Sequence, residues 1–129
     1  MKKTSVVLLA ATFFAGVGAS QILRAADGPL YYTVSEIKVK DQAAYENSGV
    51  DKLREAMVAN GGKMIAGGYN KAELLAGNGE PANRIVIWVY PNNATAGKVW
   101  AENIRPWLEK VEGKFATARA IGVEGIGAK

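Results

Sequence analysis

Cysteine and histidine are both absent from the 129 residues. Together the two absences exclude the usual zinc sites, thiolate nucleophiles, Ser–His and Cys–His couples, and haem ligated by His or Cys. A lipidated N-terminal Cys is excluded as well. Any chemistry must therefore use carboxylates, Tyr, Lys, Arg, Ser or the backbone, and neither a cofactor nor a metal is expected. Without disulfides, stability has to come from packing, within the chain or across an oligomer interface. Low-complexity segments and internal repeats are lacking too. No apolar run reaches the ~20 residues of a membrane-spanning helix.

What is present begins with an address. Lys2 and Lys3 precede a charge-free stretch from Val6 to Ala19, and small residues follow at Ala19, Ala25 and Ala26. This is the layout of a secretory signal peptide, and residues 1–26 are read as one. Cleavage is expected after Ala25 or Ala26, with Ala19 as the earlier alternative, which places the rest of the chain in the periplasm or outside the cell. An uncleaved N-terminal anchor is the competing reading. The leader also changes the charge argument. Three of the 16 basic residues (Lys2, Lys3 and Arg24) precede Asp27, whereas all 12 acidic residues lie from Asp27 onward, so the overall charge of +4 falls to about +1. A near-neutral domain carries no electrostatic footprint for nucleic acid or for an anionic membrane.

Residues 27–129 have the length of one domain with one core. Tyr31–Lys40 alternates and is rich in β-formers, which predicts a strand with Tyr31, Thr33, Ser35, Ile37 and Val39 on one face. Tyr32, Val34, Glu36 and Lys38 fall on the other. Asp41 is positioned to cap a helix running to about Asn60, stopped by Gly61-Gly62. A second strand is predicted at Lys63–Ala66, with a bulge at Gly67-Gly68 and extended chain again over Lys71–Leu75, followed by a hairpin loop at Gly77–Pro81. Arg84–Tyr90 reads as a buried strand. Asn92 or Asn93 caps a helix to Glu102, and Pro106 is expected to begin a separate one. A last strand spans Thr117–Glu124.

The order β-α-β-β-α-β predicts an α+β ferredoxin-like sandwich: an antiparallel four-stranded sheet with both helices on one face. Since Arg84–Tyr90 is apolar on both sides, the other face needs cover. A second copy of the chain is the expected cover, giving a homodimer with sheets packed face to face.

The segments YYTVSEIKVKDQAAYENS, NGGKMIAGGYNKAELLAG, NRIVIWVYPNNATAGKVW and ARAIGVEG resemble the domain-of-unknown-function family DUF1330 over Tyr31–Ile126. The features carrying the resemblance fall on Glu36, Val39, Asp41, Gly61 to Lys63, Pro91, Trp100 and Glu124-Gly125. The resemblance implies the dimeric α/β-barrel superfamily, whose members include cofactor-free monooxygenases, small lyases and haem-degrading enzymes. It implies a fold more than a reaction. The chain departs from the pattern in its leader and in having no His, so His-base and haem-ligand roles cannot carry over.

Two functional readings follow. In the first, the domain is a non-catalytic dimeric module or binds a small apolar or aromatic molecule, with Tyr32, Tyr45, Trp88 and Trp100 as candidate ligand-binding residues. In the second, it is a cofactor-independent enzyme on a small aromatic or carbonyl substrate. There Glu36 would be the catalytic base, and Arg84 or Tyr32 would stabilise developing negative charge. Each residue also has a plainer role: Glu36 as a solvated strand residue, Arg84 as half of an ion pair, and the aromatics as core.

Overall fold

The computed structural model describes residues 28–127. The signal peptide expected over residues 1–26, with its expected cleavage site, lies outside the described residues. Strand β1 (Tyr31–Val39) is followed by helices α1 (Gln42–Glu46) and α2 (Val50–Ala59) and strand β2 (Lys63–Tyr69). Strand β3 (Arg84–Tyr90) leads into α3 (Asn93–Val99), a π-helical turn (Trp100–Ile104), α4 (Arg105–Val111) and strand β4 (Ala116–Glu124). The sheet order is β2-β3-β1-β4, antiparallel throughout. This is the predicted ferredoxin-like arrangement; within one chain the sheet is open, not closed into a barrel.

Register decides which residues share a face. Ile37 pairs with Arg84 and Ala118, while Glu36 pairs with Ile85 and Arg119. Side chains alternate along each strand. Ile37, Val39, Val86, Trp88, Tyr90 and Ala116 therefore project toward the helices, where they form one core with Tyr45, Val50, Met57, Ala96 and Val99. The opposite face carries cross-strand rows Val123–Tyr32–Val89 and Ile121–Val34–Ile87–Ala66. Among these, Ile121 is 46% and Val123 54% exposed.

Local structure departs from the sequence expectation in three places. The helix expected from Asp41 to Asn60 is two helices. Asp41 caps the first, its side chain accepting from the Ala44 N–H, but Gly49 has a φ of 89° and resets the chain direction before α2. Asn47-Ser48-Gly49 is turn chemistry, and it prevails over helical periodicity. Next, β2 runs unbroken through Gly67-Gly68 to Tyr69, and no strand forms over Lys71–Leu75. The register irregularity sits at Ile65, between Met64 and Ala66, two residues earlier than predicted. Gly67 keeps the ladder because a Cβ there would come within 3.0 Å of the Ile85 carbonyl. Finally, Pro106 does not split the second helical segment. Its missing N–H and its ring are incompatible with a regular α turn. The backbone instead widens by one residue, and the Arg105 N–H donates to the Trp100 carbonyl.

The end of the sheet is sealed by Asn83. Its amide group donates to the Val39 carbonyl and accepts from the Val39 N–H, both at 2.8 Å, extending the β1–β3 pairing past Arg84, the first β3 residue. No helix among the described residues is long and apolar enough to cross a membrane.

Candidate functional site

Between α3, the π turn and the β1–β4 side of the sheet lies a cleft of about 270 Å³. The helical wall is Ala96, Gly97, Trp100 and Ile104; the sheet wall is Tyr31, Thr33, Tyr90, Ala120, Ile121 and Gly122, with Asn93 at one end. Each wall follows from local structure. Asn92 caps α3 through its side chain, which accepts from the Thr95 N–H at 2.7 Å. This fixes the helix start so that Ala96 and Val99 pack on the sheet and Trp100 follows at the cleft. The widened π turn then brings Ile104 to the same wall. π turns of this kind recur at functional sites. No acidic or basic side chain lines the cleft.

One wall residue has an unmatched polar group. Tyr90 is 1% exposed, and its hydroxyl is buried without a hydrogen-bond partner among the described residues. Burial raises its pKa above the usual tyrosine value, so the phenol stays protonated. A buried hydroxyl with no partner costs free energy.

The candidate residues from the sequence do not converge on this cleft. Trp100 lines it. Trp88 is in the core at 5% exposure, and Tyr45, at 2%, is enclosed by other aromatics. The Tyr45 ring meets Tyr69 and Trp107 edge-on, with centroids 6.3 and 5.7 Å away. Tyr32 lies on the face turned away from the helices. Glu36 lies on that same face, where it pairs with Arg119 at 3.2 Å. It belongs to a polar groove with Lys38, Glu80 and Arg119 at one end of the sheet.

Arg84 is on the helix face, so the structure does not bring it together with Glu36. It is 6% exposed and has no carboxylate partner among the described residues. Its guanidinium carbon sits 4.6 Å from the Tyr69 ring centroid and 5.7 Å from that of Tyr45, and its Nε has no acceptor. The two rings stabilise the cation by cation–π attraction. Around this pair, the Tyr69 hydroxyl donates to Glu46 Oε1 at 2.6 Å, and Arg54 bridges Glu46 and Asp51. Burial raises the Tyr45 pKa, and the charge of Arg84 works against it. Burial also raises that of Tyr69, reinforced by the hydrogen bond to Glu46. Trp107 Nε1 donates to Ser48 Oγ at 3.1 Å. The cluster cements α1, α2 and α4 to the sheet.

Residues missed from sequence are Tyr31, Tyr90, Gly97 and Ile104. The available signal was Gly97, a glycine inside a helical pattern with no turn to make. Among the described residues no group of three or more His, Cys, Asp or Glu is placed to hold a metal ion.

Comparison with known proteins adds the family and the fold. A protein of unknown function from Rhodopseudomonas palustris has a similar crystal structure, with a TM-score of 0.58 at 16% identity. The match covers 84% of this chain and 92% of that one. The methylated form of that protein matches similarly, with TM-score 0.58, 16% identity, and 83% and 88% of the two chains covered. A NIPSNAP family protein of unknown function from Agrobacterium tumefaciens gives a TM-score of 0.48 at 17% identity, over 80% of this chain and 94% of that one. No curated protein matches. Residues 31–126 match the family described as Domain of unknown function (DUF1330), in agreement with the resemblance carried by Glu36, Asp41, Gly61 to Lys63, Pro91 and Trp100, and the chain belongs to that family.

Proposed function

We propose that this chain is an exported, homodimeric binding domain that holds a small apolar molecule in the cleft between α3, the π turn and the sheet. The observation carrying the binding reading is the cleft itself: about 270 Å³, walled by Trp100, Ile104, Tyr31 and Ala96, and free of charged side chains. Largely apolar concavities with a few polar groups are the usual form of small-molecule sites. A binding role suits this lining better than general-base catalysis, because Glu36 projects from the other face of the sheet and no carboxylate borders the cleft.

Dimerisation is supported by the uncovered sheet face, where Tyr32, Val34, Ile85, Ile87, Ile121 and Val123 stand together. A second copy would bury this face and complete the apolar enclosure of a strand that is hydrophobic on both sides. Export is supported by the layout of residues 1–26. Native mass spectrometry of the protein purified from its own periplasm tests all three parts. The expected species is a dimer of leader-free chains retaining a small neutral molecule. A monomer would overturn the dimer, and a dimer releasing no small molecule on denaturation would overturn the binding role.

A further inference from the structure

We infer that Gly97 keeps the mouth of the α3 cleft open for a flat, uncharged ring system about the size of two fused aromatic rings; this rests on the binding reading above. Within helix interiors glycine is less favourable than every residue except proline. Gly97 lies inside α3, and its φ is not positive. Its backbone therefore asks for no glycine. Packing asks for none either, since a Cβ built there meets nothing within 4 Å. What the missing side chain does leave is access: Gly97 is exposed and lines the cleft.

The opposite wall makes a matching concession. Gly122 lies within β4, and a Cβ there would collide with the Tyr31 hydroxyl. Tyr31 can therefore lay its ring across the strand and form the sheet-side wall. Two helix- and strand-weakening residues thus frame one cleft, and two aromatic side chains, Tyr31 and Trp100, line it.

Size and charge define the ligand class. A dry apolar cavity of about 150 Å³ accommodates benzene, so 270 Å³ suits two fused rings. The polar residues in the lining are Tyr31, Thr33, Tyr90 and Asn93, all neutral. An unpaired charge would be desolvated without compensation.

The test is a size series at Gly97 with chosen probes, read by Trp fluorescence and calorimetry on the mature protein. Wild type should bind 2-naphthol at least about tenfold more tightly than 2-naphthoate, its charged counterpart. Affinity for 2-naphthol should fall in the order wild type, Gly97→Ala, Gly97→Leu, Gly97→Phe, the two bulky variants losing about tenfold or more. Circular dichroism and Tm should stay at or above those of wild type, because the position is exposed. Equal binding of 2-naphthol by wild type and both bulky variants would overturn the role of Gly97 and leave the binding reading standing. Preference for 2-naphthoate would overturn the ligand class. Wild type that retains no native molecule and binds neither probe would overturn this inference and the binding reading together.

Discussion

At the residue scale, three side chains have roles that substitution can separate. The Tyr90 hydroxyl is buried without a partner. Tyr90→Phe should leave the ligand-free protein as stable as wild type or more stable by about 1 kcal/mol, because an uncompensated polar group is removed without a cavity. Urea denaturation measures this. The pH dependence has a defined sign. Tyr45, Tyr69 and Tyr90 all have pKa values raised above the ordinary 10.0 in the fold. Their contribution is therefore fully present below pH 10 and is lost as pH rises and the unfolded tyrosines ionise. Tyr90→Phe should flatten that alkaline decline. Arg84→Ala removes a buried stem and a cation–π partner from the Tyr45–Tyr69 cluster, and should destabilise by about 2 kcal/mol. An unchanged denaturation midpoint would contradict its structural role. Glu36, by contrast, forms an exposed pair, Arg119 being 75% exposed at its side chain. Glu36→Gln should change monomer stability by less than about 1 kcal/mol, measured at a concentration where any dimer has dissociated.

At the element scale, two glycines associated with helices predict opposite outcomes. Gly49 has a φ of 89° in open space, so Gly49→Ala carries only a backbone penalty, about 1 kcal/mol. Gly97→Ala restores a helix-forming residue to α3 and should stabilise by a similar amount. Thermal unfolding should show Tm shifts of several degrees in opposite directions. The same elements show why helix boundaries were only partly legible. Period-3.6 patterning indicates which residues share a face, and α1 and α2 do present Tyr45, Val50 and Met57 to one core. It does not report that Asn47-Ser48-Gly49 turns the chain between them. Pro106 was a readable signal of irregularity, but a proline admits two solutions, a break or a widened turn. Trp107, packed on Tyr45 and bonded to Ser48, is placed by the continuous path.

At the scale of the whole molecule, the proposed dimer and the proposed cleft occupy opposite sides of one sheet. Replacing Ile87 with Lys puts a charge at the centre of the uncovered face. Sedimentation at micromolar concentration should show wild type as a dimer and Ile87→Lys as a monomer that still binds 2-naphthol. A wild-type monomer would contradict the proposed assembly. The missing cysteines matter at this scale as well: a chain without disulfides gains stability from additional buried area, which the proposed face-to-face dimer would supply.

Much of the architecture was already present in one dimension. Alternation placed β1 and β3 to within a residue, and β4 to within one at its start, because period-2 patterning is a direct consequence of pleating. The element order then allowed few topologies, and the observed one is among them. The absence of Cys and His likewise limited the chemistry before any fold was considered. The candidate site was a different matter, because it depends on register. Glu36 and Arg84 each lie on a strand whose faces were readable, yet nothing local states that Arg84 sits opposite Ile37 and not opposite Glu36. A slip of one residue would have put both on the same face. Only the antiparallel pairing of β1 with β3 separates them. That pairing, together with the pairing of β1 to β4 and the packing of α3 on the sheet, brings Tyr31, Tyr90, Gly97 and Gly122, residues from four elements, to the walls of a single cleft.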